Sequence, residues 1–296
     1  MSNHYTNYLG EEIMSKLTNW VIGGVAVIAI GGIAYATFGH KSTEKSNNKI
    51  VTVGIMSGSK QDTDIWNSVS KTAKNKYGIT LKFKQFSDYN QPNKALAAGD
   101  IDINAFQHYA FLAASNKATG DKIVAIGDTV ISPIRLYSNT YKKVSEYKTG
   151  DTIVVPNDTS NESRSLYVLK AAGLIDLKSG LTTATVKDIT KNPKSLKIKE
   201  LAADQTARSL TDVQGAVVNG TYADTAGLDY KKAIFVEPIN KNSHQWVNII
   251  AAKSSNKNKQ VLKDVVKSYH TQATKNAINK AYDGVELAAW DTDFSK

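Results

Sequence analysis

At 296 residues, with 41% hydrophobic and 22% charged side chains, the chain has apolar material for one large core or two ordinary ones, which excludes a disordered polymer. It contains no cysteine, and that excludes disulfide frameworks, thiolate zinc sites, iron–sulfur clusters, cysteine nucleophiles and a lipid carried on cysteine. The formal charge of +10 raises the question of a nucleic-acid partner. The excess is nearly all lysine, mixed with serine and asparagine over 187–199 and 253–259 without interleaved arginine or stacking aromatics. A solvated face is therefore the expectation, with no nucleic acid as partner.

Residues 1–19 form an N-terminal segment whose Glu11 and Glu12 are unlike a targeting sequence, and Met14 is the expected true start. From 20 to 38 no residue is charged, and at about 1.5 Å per residue this run just crosses a hydrocarbon core of roughly 30 Å. It reads as a transmembrane anchor. The alternative is a cleaved signal, with Ala34-Tyr35-Ala36 as the small-residue cleavage site. Lys16 precedes the run while Lys41, Lys45 and Lys49 follow it, so charge does not set its orientation. Residues 39–49, rich in Ser, Asn and Lys, read as a tether.

The remainder alternates strands and helices. An apolar β-branched run at 49–55 precedes a helical pattern over 62–76, where Ile65, Val69 and Ala73 recur at helical spacing. Then come extended 79–86, helical 92–98, extended 101–104, helical 105–116 and extended 122–131. Further strands are expected at 152–155, 196–202, 215–218 and 246–251, with helices at 161–172 and 206–211 and over 260–282. Repeated strand–helix units predict an α/β fold with parallel sheets covered on both faces, and the length after the tether favours two lobes.

Ligands in such sheets bind beyond the carboxyl ends of strands. Polar and aromatic clusters fall there: Asp88 to Gln91, Phe106 to Tyr109, Asn157 through Arg164, Asn219 to Tyr222, and His244 to Asn248. Each alone has a plain structural meaning, a turn or cap for Asn157-Asp158 and Asn219-Gly220, a surface helix for His108. Their joint placement gives them weight. No Gly-x-Ser-x-Gly elbow, His-Glu-x-x-His helix or phosphate loop occurs, so no catalytic residue, metal or cofactor is expected.

The sequences 86–93, 102–108, 156–164, 202–210 and 218–223, in that order and spacing, resemble those of the NlpA lipoprotein family, the substrate-binding components of methionine ABC importers. The resemblance implies a two-lobed periplasmic-binding-protein fold of type II-like architecture, with a cleft between lobe one (50–133 plus 238–296) and lobe two (134–237). It implies Arg164 against a ligand carboxylate, Asn219 and Asn248 completing the polar grip, and Tyr89, Phe106 and His108 as an aromatic wall. A guanidinium suits the first role through its two-pronged fork, and sulfur–aromatic contact suits the last. The implied partners are methionine or a similar small molecule and an ABC permease with its ATPase, with the domain extracellular and held at the cell membrane by 20–38. Phe111 stands where the family commonly has tyrosine. Val130 and Ser132 replace its usual histidine and glutamate before Pro133, and Arg135 replaces a small residue. A longer ligand such as a peptide therefore stays open beside methionine, and so do a sensory or adhesive surface domain and, less favoured, an enzyme on this fold.

Overall fold

A computed structural model describes residues 49–294. The expectation of a membrane anchor at 20–38 lies outside the described residues; among these, no helix is long and apolar enough to cross a membrane.

In chain order the elements are β1 (Lys49–Met56), α1 (Lys60–Tyr77), β2 (Ile79–Phe86), α2 (Pro92–Ala98), β3 (Ile103–His108), α3 (Tyr109–Thr119) and β4 (Ile123–Ile131). Then follow β5 (Arg135–Tyr137), β6 (Thr152–Pro156), α4 (Thr159–Ala171), β7 (Asp176–Leu177), β8 (Ile189–Lys191), β9 (Lys197–Leu201), α5 (Ala203–Thr206), β10 (Gly215–Val218), α6 (Gly220–Thr225) and β11 (Phe235–Val236). The chain ends with β12 (Val247–Lys253), α7 (Gln260–Tyr269), α8 (Gln272–Tyr282) and β13 (Leu287–Ala288). The strands form a sheet of order β13-β4-β12-β3-β1-β2, a second of order β11-β5-β10-β6-β9, and a small β7–β8 pair. The chain leaves the first sheet after Ile131 and enters the second at Arg135; it leaves the second after Val236 and re-enters the first at Val247.

Both large sheets are mixed, not parallel as the strand–helix alternation predicts. β1 runs parallel to β2 and β3, and β6 parallel to β9 and β10. β12 is antiparallel to both β3 and β4, and β5 to both β10 and β11. The reason is the route of the chain: β12 returns from the second sheet and inserts between two strands already running the other way.

α1 shows how local sequence and packing agree. Ser59 Oγ accepts from Asp62 N at 3.0 Å and caps the first turn, while Gly78 ends the helix in the left-handed region at φ 66°. Ile65, Val69 and Ala73 fall on one face and are buried with Val53, Ile79, Val265 and Ile278 in the core of the first sheet. Leu136, Ile153, Leu166, Leu169 and Val217 form the core of the second. A further apolar cluster joins the sheets, with Phe86, Leu96 and Ile249 on one side and Val154, Leu210 and Tyr222 on the other.

The predicted boundary between strand and helix at 104–105 is displaced to His108. Ala105 to His108 stay extended because Asn104 and Gln107 are tied to buried Asn93. Gln107 Nε2 donates to Asn93 Oδ1 at 2.7 Å, Asn104 Nδ2 to the same oxygen at 2.9 Å, and Asn93 Nδ2 to Gln107 Oε1 at 2.9 Å. This closed amide network overrides local helix propensity. The helices expected over 260–282 are two, α7 and α8, divided at Thr271, whose hydroxyl caps α8 through Thr274 N.

Candidate functional site

The cavity between the sheets is built at strand ends. His108 is the last residue of β3 and the cap of α3: its Nδ1 accepts from Phe111 N at 3.0 Å. That bond places the ring proton on Nε2, which donates to Asn161 Oδ1 at 3.2 Å. Burial, and then the Arg164 charge, push the imidazole down to about 3, so it is neutral at physiological pH.

Asn161 lies in the first turn of α4, where Asp158 caps the helix through Asn161 N at 3.0 Å and also holds the Asn161 amide at 2.9 Å. Its Oδ1 is then fixed to accept from His108 and from Asn219 Nδ2 at 2.8 Å. The Asn219 Oδ1 is sealed from solvent and has no hydrogen-bond partner. An orphaned buried acceptor is costly unless something donates to it.

One turn along α4, Arg164 is only 3% exposed. Its Nε donates to Glu237 Oε1 at 2.8 Å, and its Nη2 to Glu237 Oε2 at 2.5 Å and to the Ser132 carbonyl at 2.9 Å. The guanidinium carbon lies 4.9 Å from the Trp246 ring centre. The Nε/Nη2 fork is thus taken by a carboxylate of the protein itself, and the Nη1 edge is the one left for a ligand. Glu237 also accepts from Ile134 N at 3.2 Å, so one carboxylate ties Arg164 to both segments that pass between the sheets.

The apolar side of the cavity is aromatic. Tyr89 packs on Phe106, Phe111 and Tyr222 with ring centres 5.9, 6.0 and 4.8 Å apart, and Phe106 meets Phe111 at 5.6 Å. His108 stands edge-on to Trp246 at 5.1 Å. Asn248 on β12 lies opposite His108 in register. All six residues singled out in the sequence, Tyr89, Phe106, His108, Arg164, Asn219 and Asn248, line this one cavity. His244 is drawn away, stacked on Tyr109 at 5.2 Å. Asn161 and Trp246 fall inside clusters noted in the sequence but are given no role there, and Glu237 is not noted at all. Sequence reasoning also missed the acidic residues Asp62 and Glu286, which line the far end of the same cavity. Among the described residues, no group of three or more His, Cys, Asp or Glu is placed to hold a metal ion.

Two mixed sheets joined by two passages of chain, with a buried arginine and orphaned amide oxygen between them, define an α/β substrate-binding-protein fold. The comparisons agree. The substrate-binding protein of a methionine transporter from Streptococcus pneumoniae superposes with a TM-score of 0.78 at 47% identity, covering 81% of this chain and 96% of that one. A nutrient-binding protein from Burkholderia cenocepacia, solved bound to methionine, gives 0.77 at 41% identity over 81% and 99%. The D-methionine-binding lipoprotein MetQ of Escherichia coli is 41% identical over 268 residues, 88% of this chain and 97% of that protein. Residues 51–290 match the family described as NlpA lipoprotein, and the chain belongs to that family.

Proposed function

We propose that this chain is the solute-binding component of an ABC importer and captures methionine or a closely related amino acid, without catalysing a reaction. The observation that carries the proposal is the pairing of a buried guanidinium edge with the orphaned Asn219 oxygen beside an aromatic wall. A free amino acid answers each part: a carboxylate for Arg164, an ammonium for the amide oxygens of Asn219 and Asn248, and a thioether for Tyr89, Phe106 and His108. Relatives named as methionine-binding proteins and a neighbour bound to methionine support this ligand class.

Residues 50–133 plus 238–296 act as one lobe and 134–237 as the other, closing on the ligand about the two passages. The relatives are named lipoproteins, yet this chain has no cysteine to carry a lipid. The 20–38 segment takes over as the anchor and keeps the binding domain on the outer face of the cell membrane, where it delivers to the permease and its ATPase. Calorimetric titration of the full chain with L-methionine, D-methionine and short methionyl peptides tests the proposal. Saturable binding of at least one is expected, and no binding by any of them refutes the ligand class.

A further inference from the structure

The far end of the cavity carries ionisable groups that the function above does not use. Asp62, in the first turn of α1, and Glu286, 6% exposed and just before β13, line it, while Asp224 on α6 stands behind them and is reached through Tyr282. Tyr282 Oη donates to Asp224 Oδ2 at 2.8 Å and stands 3.5 Å from Asp62 Oδ1. Asp224 and Asp62 belong to elements of different sheets, so the cluster spans the cleft. Among the described residues, none of the three carboxyls has a lysine or arginine within ion-pairing distance. Arg135, whose charge reaches Asp224 and Glu286, donates its Nη1 to the Pro133 carbonyl at 2.6 Å.

Burial, together with the charges of its neighbours, pushes Glu286 up to about 8, partly offset by the Ser132 hydroxyl alongside. Burial and then Asp224 push Asp62 up to about 6, and burial raises Asp224 as well. Carboxyls in this condition gain free energy from an incoming cation.

A second observation points to a ligand. Ser132 Oγ, beside Glu286, is sealed from solvent and meets no partner at hydrogen-bonding geometry, although Ser132 lines the cavity. The same residue's carbonyl accepts from Arg164, so Ser132 links the guanidinium to the acidic end. Gly220 lets both groups approach its backbone: a methyl group there would stand 2.6 Å from Ser132 Oγ and 3.3 Å from Glu286 Oε1. The three carboxyls do not converge as metal ligands. What fits is a compact cation with its own N–H donors, an alkylammonium.

We propose that Asp62 and Glu286, backed by Asp224, form a cationic-group arm of the cleft, which takes a side-chain ammonium group of a ligand whose carboxylate lies against Arg164. This rests on the carboxylate role of Arg164 given above. The ammonium is a second one at the end of the ligand's side chain, since the α-amino group is held by the amide oxygens of Asn219 and Asn248.

The test is calorimetric titration of the full chain in detergent with L-methionine, L-norleucine and L-lysine. The parent is compared with Asp62→Asn and Glu286→Gln, whose near-isosteric side chains leave the packing in place, and melting curves report the fold. In both variants lysine alone weakens tenfold, while methionine and norleucine are unchanged. Weakening of methionine and norleucine by tenfold as well as lysine would put the α-ammonium in the arm and overturn the side-chain assignment. Folded acid variants that bind methionine and lysine within threefold of the parent overturn the arm while leaving the amino-acid site intact. Failure of the parent to bind any amino acid overturns the carboxylate reading and the arm with it.

Discussion

Replacing Arg164 by Ala tests the site at its centre, and its cost follows from what the side chain holds. Arg164 is 3% exposed and its partner Glu237 only 11%, with two hydrogen bonds between them and a third to the Ser132 carbonyl. Truncation strands a nearly buried carboxylate, a change that costs about 3–5 kcal/mol of stability. For a domain of this size that lowers the melting temperature by roughly 6–20 °C, since each kcal/mol is worth about 2–4 °C. Loss of the ligand carboxylate's partner costs roughly 2–5 kcal/mol of binding, about thirtyfold to several thousandfold in Kd. The two effects are separable. In the double variant Arg164→Met, Glu237→Gln no buried charge is left unpaired, so most of the stability returns while binding does not. Circular-dichroism melts and calorimetry on the parent, the single variant and the double variant make the measurement. A double variant that melts within a few degrees of the parent and binds methionine within threefold of it removes Arg164 from the ligand.

Stability should respond to pH in two opposite ways. Glu286 holds its proton up to about 8 in the fold but only to about 4.3 when unfolded, so between those values the folded state binds more protons and stability falls as pH rises. Urea midpoints from pH 5 to 9 should therefore climb for Glu286→Gln relative to the parent at the alkaline end; parallel curves would refute the assignment. His108 works in reverse. With a folded value of about 3 and about 6.5 unfolded, it stabilises fully above pH 6.5 and loses about 2 kcal/mol by pH 5, a loss that His108→Gln should abolish in the same titration. The full chain should also sediment with membranes after cell lysis, through 20–38; recovery of a mature form beginning at Thr37 in the medium would identify a cleaved signal instead.

Much of the architecture was legible because it rests on local periodicity. α1 was visible from Ile65, Val69 and Ala73, and β2, α2 and β10 from their apolar runs and flanking turn residues. Strand direction was not legible, since nothing inside Val247–Lys253 records that the chain arrives from the other sheet. Nor was the end of β3, because Ala105 to His108 carry ordinary helix propensity and are held extended by an amide network whose anchor, Asn93, lies on a different element. Tertiary partners outweigh propensity differences of a few tenths of a kcal/mol per residue.

The site divides along the same line. The six residues named from the sequence belong to segments whose order and spacing carry the family resemblance, and the fold brings all of them to one cavity. The acidic residues hid in sequence contexts with ordinary explanations. Asp62 follows a helix cap by three residues and reads as a charge complementing the helix N-terminus, while Glu286 follows Asp283-Gly284 and reads as part of an exposed turn. Glu237 was within reach of argument. An arginine buried between lobes must have an anionic partner when no ligand is bound, because an uncompensated guanidinium is too costly to keep there. The segment returning from the second sheet contains a single acid, Glu237, immediately before Pro238. Requiring a counter-ion for Arg164 would have selected it, and with it the coupling that the structure reveals: the carboxylate that positions Arg164 also accepts from Ile134 N on the outgoing passage. If a ligand carboxylate takes the Nη1 edge, as proposed above, the shared Glu237 would let binding at that one side chain bear on both passages at once.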